Sequence, residues 1–535
     1  IRHGHISTLH LWWARRPLPV CRAVVFASLV PDPLDEHCPQ AFRDAVAIIL
    51  GPQTKGVVSV DVYLPYKDIP YTSVEDPMED NLRNRLMMFI GKFSETCQQN
   101  MKDGKSTPPK EQLSDGSLIK WENKNNKKIL RMARELIYVA YHAEREPELG
   151  YESLHRQFDA SFDAIAEAEK ALYSVVDRHI KTPEVEKMEE NLQQAIEHFQ
   201  NEMPSVFDPF AGGGAIPLEA ARLGCRSFGN DINPVAHIIE RGSAEFPQKY
   251  GKPIVYSEAE FKKKYGERGL KMTQEKGKDI ILDENGNYRI PNRLSWDVEY
   301  YGLQLIERTE KSTRNLYYFD ENDNRPSVYY WVKFAKCSNP GCSSEVPLFK
   351  QWYLSNPRSN KSFERIKHFE INEETKEVDI CDGKYNGLPI VNRGNVCCPY
   401  CGAITEKNLI KEQFKNSTIT EKIVALVYDT DKGKNFVKAT PLCQLKYDQI
   451  EEQLIPIEKL QPNSAGGDIL SWGYTEWGEL FNKRQLAVLY AFCNELNELF
   501  LDTEDELYAT AIRTYLAILV DRIAVRMSSF GKWHV

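Results

Sequence analysis

The strongest constraint in this chain is the stretch Val206-Phe207-Asp208-Pro209-Phe210-Ala211-Gly212-Gly213-Gly214-Ala215-Ile216-Pro217-Leu218-Glu219-Ala220-Ala221. A short apolar run, three consecutive glycines and an amphipathic run read as strand, tight turn and helix. Glycine has no Cβ, so the turn can take positive φ and a ligand can lie against bare backbone. Amide donors at the helix start favour a carboxylate there. A second short strand, Cys225-Arg226-Ser227-Phe228-Gly229-Asn230, leads to Asp231 and then Ile232-Asn233-Pro234. An acid after the second strand of a β-α-β unit is placed to accept hydrogen bonds from ribose hydroxyls. The Gly-x-Gly-x-x-Gly dinucleotide spacing and the Gly-Lys-Ser/Thr phosphate loop are both absent from this segment.

Taken together, Asp-Pro-Phe-Ala-Gly-Gly-Gly, a helix and Asn-Asp-Ile-Asn-Pro resemble the S-adenosylmethionine (AdoMet) motifs of nucleic-acid amino-methyltransferases. The resemblance implies a Rossmann-like AdoMet-dependent methyltransferase sheet. In it Asp208, Pro209, Phe210, Ala211 and the backbone of Gly212, Gly213 and Gly214 face the methionine end of AdoMet. Asp231 holds the ribose and Ile232 packs on the adenine. The run His10-Leu11-Trp12-Trp13-Ala14-Arg15-Arg16-Pro17-Leu18 resembles the opening of a family of adenine-specific DNA methylases that contain a zinc ribbon. In related enzymes an N-terminal helix with a basic residue and a proline closes the AdoMet pocket, and Arg16 and Pro17 match that motif. Trp477-Gly478-Glu479-Leu480-Phe481-Asn482-Lys483-Arg484-Gln485-Leu486 is similar to a further segment of the same family. Arg484 and Gln485 either meet cofactor or DNA or form a helix-start ion pair.

The second strong signal lies in residues 326–410. Cys337 and Cys342 flank Ser-Asn-Pro-Gly, and Cys398 and Cys401 flank Pro-Tyr. Two such knuckles can set four thiolates tetrahedrally around Zn²⁺. The aromatic, strand-prone Val346–Leu354 run lies between them, the layout of a zinc ribbon, and Cys397 breaks the spacing as a bystander. A site of four thiolates is closed, which makes its zinc structural. The ribbon's place after the AdoMet-type motifs suggests target recognition, with Lys and aromatic side chains presented to DNA.

The rest of the chain is read around these signals. Residues 1–75 form the N-terminal part of the methyltransferase domain, 76–200 a helical insertion, 201–325 the AdoMet core and a connection, 326–415 the ribbon, and 416–535 a return to the methyltransferase domain. Pro17 suits a helix's first turn, with an apolar face through Val20, Val24 and Ala27. Val57–Leu64 suits a strand, and Asp68-Ile69-Pro70-Tyr71 reads as a proline-bounded loop despite its likeness to a catalytic Asp-Pro-Pro-Tyr. Residues 152–200 read as two charged helices broken near Thr182-Pro183, in a solvated bundle, and 250–295 as an irregular charged connection. A last helix, about Glu504–Met527, carries Leu507, Ile512, Leu516, Leu519 and Ile523 mostly on one side. A net charge of −9 excludes a uniformly basic coat but not a local nucleic-acid patch. No apolar run is long enough for a bilayer, and 12 cysteines in 535 residues are too sparse for a disulfide scaffold. Their clustering points to metal ligation in a reducing, cytoplasmic setting without membrane contact.

The functional expectation is an AdoMet-dependent DNA methyltransferase, adenine-N6 specific, of a restriction-modification or phage-defence system. Its partners would be DNA and other defence subunits. Enzymes of this type hold the exocyclic amine with an Asp/Asn side chain and a proline carbonyl while an aromatic ring stacks on the flipped base. No Asp/Asn-Pro-Pro-aromatic tetrad occurs here, so the catalytic residues are unknown and catalysis by these residues alone is expected to be incomplete. The family tetrad lies after a segment like Ser528–His534, and both ends read as cut. A noncatalytic zinc-ribbon nucleic-acid-binding component and an RNA guanine-N2 methyltransferase are the alternatives.

Overall fold

The structure is a computed structural model. It describes residues 17–52, 80–275, 280–356, 366–372, 374–385, 387, 389–431, 433–451, 456–462, 469–503 and 505–529. Arg16, Val57–Leu64, Asp68–Tyr71 and Phe530–His534 lie outside the described residues. The fold is mixed α/β with small sheets. Contacts divide it into two units, Ile1–Tyr301 with Leu501–Ile518, and Gly302–Phe500 with Leu519–Val535. No described helix is long and apolar enough to cross a membrane.

The first unit opens with helices α1 (Leu18–Leu29), α2 (Gln40–Leu50), α3 (Leu82–Ile90), α4 (Glu95–Lys102), α5 (Lys127–Arg145), α6 (Tyr151–Tyr173) and α7 (Pro183–Glu202). Their starts follow local chemistry. Asn126 caps α5 by accepting from the Lys128 and Ile129 amides, and Thr182 caps α7 ahead of Pro183. The helix break expected near Thr182-Pro183 is therefore a cap. The strand β1 (Ser205–Asp208), helix α8 (Ala215–Arg222) and strand β2 (Arg226–Gly229) follow, with β1 and β2 parallel and Asp208 opposite Gly229. Residues 76–200 are not a separate solvated bundle. Leu136, Leu154, Phe158 and Phe199 share one buried core with Phe26 and Phe42 of the first two helices and with Ala220 of α8.

Two expectations fail in this unit. The buried face of α1 is Leu18, Cys21, Arg22, Val25 and Phe26, whereas Val20 and Val24 are exposed. Arg22 takes a core position because Glu219 of α8 meets it at 2.6 Å with both side chains fully buried, and the Leu118 carbonyl accepts a second bond at 2.8 Å. An inward arginine turned the apolar count to the wrong side. The second is 250–295, where the described residues 250–275 and 280–295 form helices and strands. After α9 (Pro234–Glu240) and α10 (Phe246–Tyr250) come β3 (Ile254–Tyr256), α11 (Glu258–Glu275), β4 (Ile281–Leu282) and β5 (Tyr288–Ile290), with the strands in the order β3-β5-β4. Phe261 and Tyr265 are buried one helical turn apart, Gly266 with φ of 54° kinks the helix after them, and Met272 is buried beyond the kink, among the Lys, Glu and Gly that suggested a loop.

The helix α12 (Arg293–Thr313) leads on to β6 (Val328–Lys336), β7 (Glu345–Pro347), β8 (Tyr353–Ser355), β9 (Lys367–Ile371), β10 (Val378–Asp382), β11 (Val391–Asn392), β12 (Asn395–Cys397) and β13 (Ile404–Thr405). Then come α13 (Lys407–Lys415), β14 (Thr420–Thr430), β15 (Gly433–Lys438), α14 (Pro441–Asp448), α15 (Lys483–Asn497) and α16 (Glu506–Met527). The second unit holds three antiparallel sheets, ordered β15-β14-β6-β7, β10-β9-β8 and β11-β12-β13. Phe334, Phe349, Trp352, Phe369 and Val396 form its core with Cys337 and Cys398. In α16 Ile512 and Leu516 are buried as expected, but Leu507 is exposed.

Candidate functional site

The glycine loop is built by backbone geometry first. Gly212 and Gly214 take φ of 58° and 76°, the left-handed region where a side chain is strained. Gly214 caps α8, and a Cβ there would stand 3.0 Å from Glu240 Cγ. The Asn230 amide donates to the Asp208 carbonyl at 3.0 Å, and the Ala211 amide donates to the Asn230 carbonyl at 2.9 Å, which ties the loop to the end of β2. Two carboxylates then converge on it. Asp208 Oδ1 accepts from the Phe210 amide at 3.1 Å, and Asp231 Oδ2 accepts from the Gly212 amide at 2.9 Å. Asp231 Oδ1 also accepts from the Asn233 amide at 2.9 Å.

This arrangement answers part of the expectation and alters part. The Phe210, Ala211, Gly212 and Gly214 amides are already bonded inside the protein, so a carboxylate at the helix start would find few donors among them. Each oxygen of Asp231 accepts one bond and keeps one lone pair. Two vicinal hydroxyls fit that remaining capacity. Ile232 is 100% exposed beside it, and Phe210 is also exposed. Pro209 and Phe210 form the turn itself, with Gly213 held through its carbonyl by the Ser243 hydroxyl at 3.2 Å. Pro17 stands at the start of α1, where Leu18 and Cys21 cluster with Ala215, the first residue of α8. The N-terminal helix thus abuts the element that carries the loop.

Sequence reading missed Glu240. Its side chain is buried at the end of α9, so close to Gly229 that a Cβ there would collide with Oε1. Burial raises its carboxyl to about 7, and the Asp208 and Asp231 carboxylates push the same way. The available signal was the apolar pair Ala236 and Ile239, which places Glu240 on the buried face of the same helix.

The cysteine site is closed. Cys337 directly follows β6, and Cys342 lies in a turn in which the Asn339 carbonyl accepts from the Cys342 and Ser343 amides. Cys398 and Cys401 lie in the β12–β13 turn, where the Gly402 amide donates to the Cys398 carbonyl at 2.9 Å and Gly402 takes φ of 74°. Cys337 and Cys401 Sγ are 3.6 Å apart, Cys342 and Cys398 Sγ 3.8 Å, and all four lie within 4.8 Å. A tetrahedron of Zn–S bonds of about 2.3 Å has edges of roughly 3.8 Å. The donors therefore form a cluster that can hold a metal such as zinc. Cys397 stays outside it, exposed, as expected. The Ser344 hydroxyl, 3.3 Å from Cys342 Sγ, draws that thiol down to about 6, while burial pushes Cys398 up to about 12.

Among the described residues Arg484 and Gln485 form no helix-start ion pair, and Gln485 lines a cleft of the second unit. Gln485 closes a capping box with Asn482 at the start of α15. Arg484 is buried with its guanidinium 4.1 Å from the Tyr329 ring centre and 5.0 Å from that of Tyr317, with Trp331 and Tyr447 also near. Burial holds its pKa below the usual arginine value. An aromatic cage replaces the ion pair.

Beside the cysteine cluster, the second unit has a cleft of about 780 Å³ lined by Tyr330, Phe349, Trp472 and Tyr474 together with Lys333 and Lys350.

A family model described as a protein of unknown function (DUF1156) matches residues 1–46. No curated protein and no solved structure matches the chain.

Proposed function

We propose that this chain binds AdoMet at the glycine loop and belongs to a DNA methyltransferase, adenine-N6 specific, acting in restriction-modification or phage defence. One observation carries the reading: two carboxylates meet a single left-handed glycine turn, and a fully exposed Ile232 follows the second of them. Bound AdoMet would supply an activated methyl group. The chain's own residues would position it. Asp231 would accept the ribose hydroxyls with its remaining lone pairs, and Ile232 would cover one face of the adenine. The turn Asp208–Gly214 would border the methionine end, and the Arg16-Pro17 segment would close the pocket.

The uncovered strand pair supports a larger sheet. Phe207 and Phe228 are register partners, 63% and 47% exposed, whereas parallel strands in α/β folds are covered on both faces. A Rossmann-like methyltransferase sheet would supply that cover. In the second unit, Zn²⁺ on Cys337, Cys342, Cys398 and Cys401 would be structural, and the cleft of aromatic rings and lysines suits stacked bases and backbone phosphate. The noncatalytic nucleic-acid-binding reading draws on the cysteine cluster and the cleft of the second unit alone.

Labelled methyl transfer by the complete natural protein onto DNA and onto RNA separates the readings. The expected outcome is label on adenine N6 of DNA, abolished by Asp231→Ala. Label on guanine N2 of RNA selects the rival enzyme. Nucleic-acid binding without transfer selects the noncatalytic component.

A further inference from the structure

We propose that the β9–β10 strand pair carries a second divalent-metal site, formed by the imidazole of His368, the carboxylate of Glu370 and the thiolate of Cys381, with a fourth position open to water. A ring nitrogen of His368, a carboxylate oxygen of Glu370 and Cys381 Sγ all lie within 4.8 Å of one another. The strand register explains the convergence. His368 stands directly opposite Cys381, and Glu370 lies two residues along the same strand, so all three share one face. The other face, with Phe369, Ile371, Val378 and Ile380, packs into the core and fixes both strands. Asp379, opposite Glu370, does not join the set, because Lys438 Nζ holds it at 2.6 Å.

The histidine is already set for ligation. Its Nδ1 lies 3.0 Å from the Gly383 carbonyl, which can only accept, so Nδ1 carries the proton. Nε2 is then the ring nitrogen that can offer a lone pair to a metal. A backbone carbonyl holding the other ring nitrogen is the support that orients metal-binding histidines. His368 is 6% exposed, so the ring is fixed, whereas Glu370 lies at the surface where an ion can enter. The donor set decides the class of metal. Imidazole and thiolate favour late first-row ions, and a single carboxylate is compatible with them, so the site suits Zn²⁺ and disfavours Mg²⁺ and Ca²⁺. Three protein ligands leave one coordination position open, unlike the closed four-cysteine cluster.

The test is metal analysis of the purified chain equilibrated with Zn²⁺ and freed of excess. His368→Ala and Cys381→Ser each remove one equivalent relative to the unaltered chain, with the four-cysteine ligands untouched. If these buried changes disrupt folding, Glu370→Gln at the exposed ligand decides, weakening the site by about tenfold or more. Equal zinc content in the unaltered chain and in folded His368→Ala, or unchanged Zn²⁺ affinity in Glu370→Gln, overturns the proposal. The outcome is independent of AdoMet binding, since no residue of the glycine loop takes part.

Discussion

The glycine loop of the first unit and the four-cysteine cluster of the second are both made at turns, but their polar groups have opposite tasks. At the loop, backbone amides satisfy Asp208 and Asp231, so the turn is complete within the protein and its carboxylates keep capacity to spare. At the cluster, four sulfurs lie within 4.8 Å of one another, with Cys337 and Cys398 buried in a hydrophobic core and Cys401 exposed. The first arrangement has its hydrogen bonds closed within the protein, whereas the second brings together four donors that can hold a metal such as zinc.

The largest expected effect breaks the cluster. Cys398→Ser with Cys401→Ser abolishes zinc binding at the cluster and unfolds the second unit, with loss of any other zinc that the unit holds, because structural zinc sites contribute on the order of 10 kcal/mol. Proteolysis followed by fragment mapping should show cuts throughout 302–500 and a protected first unit. Next is the buried pair behind the loop. Glu219→Ala leaves Arg22 charged and unpaired in the core, and denaturant unfolding should show a loss of about 3–5 kcal/mol.

Glu240 sharpens the comparison further, since folding disfavours its carboxylate as an ion. Its pKa rises from 4.5 to about 7, so the folded chain holds a proton that the unfolded chain releases. That stability is fully present below about pH 4.5 and is lost as pH rises through about 7. Glu240→Gln should therefore raise stability by about 1–3 kcal/mol at pH 8 and change little at pH 5, read as melting temperature against pH. A smaller effect belongs to the aromatic cage. Arg484→Met should cost about 1–2 kcal/mol of second-unit stability and leave zinc content unchanged.

Legibility in the sequence followed the range of the interactions. The cysteine knuckles and the Gly212–Gly214 turn were readable because their geometry is set within a few residues, by spacing and by positive φ. The α1 face was misread because the Arg22–Glu219 pair joins residues 197 positions apart. The same holds for Arg484, whose cage comes from four aromatic residues of other elements, and for Glu240, whose environment needs β2 and the loop in place. The helices and strands described in 250–275 and 280–295 were hidden by composition. Few apolar residues, correctly spaced, outweighed many charged ones.

Titration calorimetry of AdoMet against this chain tests the central claim most directly. The account predicts saturable one-to-one binding, at least 100-fold weaker in Asp231→Ala, with the free variant still folded as judged by a cooperative melt. An unaltered chain that takes up no AdoMet, or an Asp231→Ala chain that binds it equally well, would contradict it.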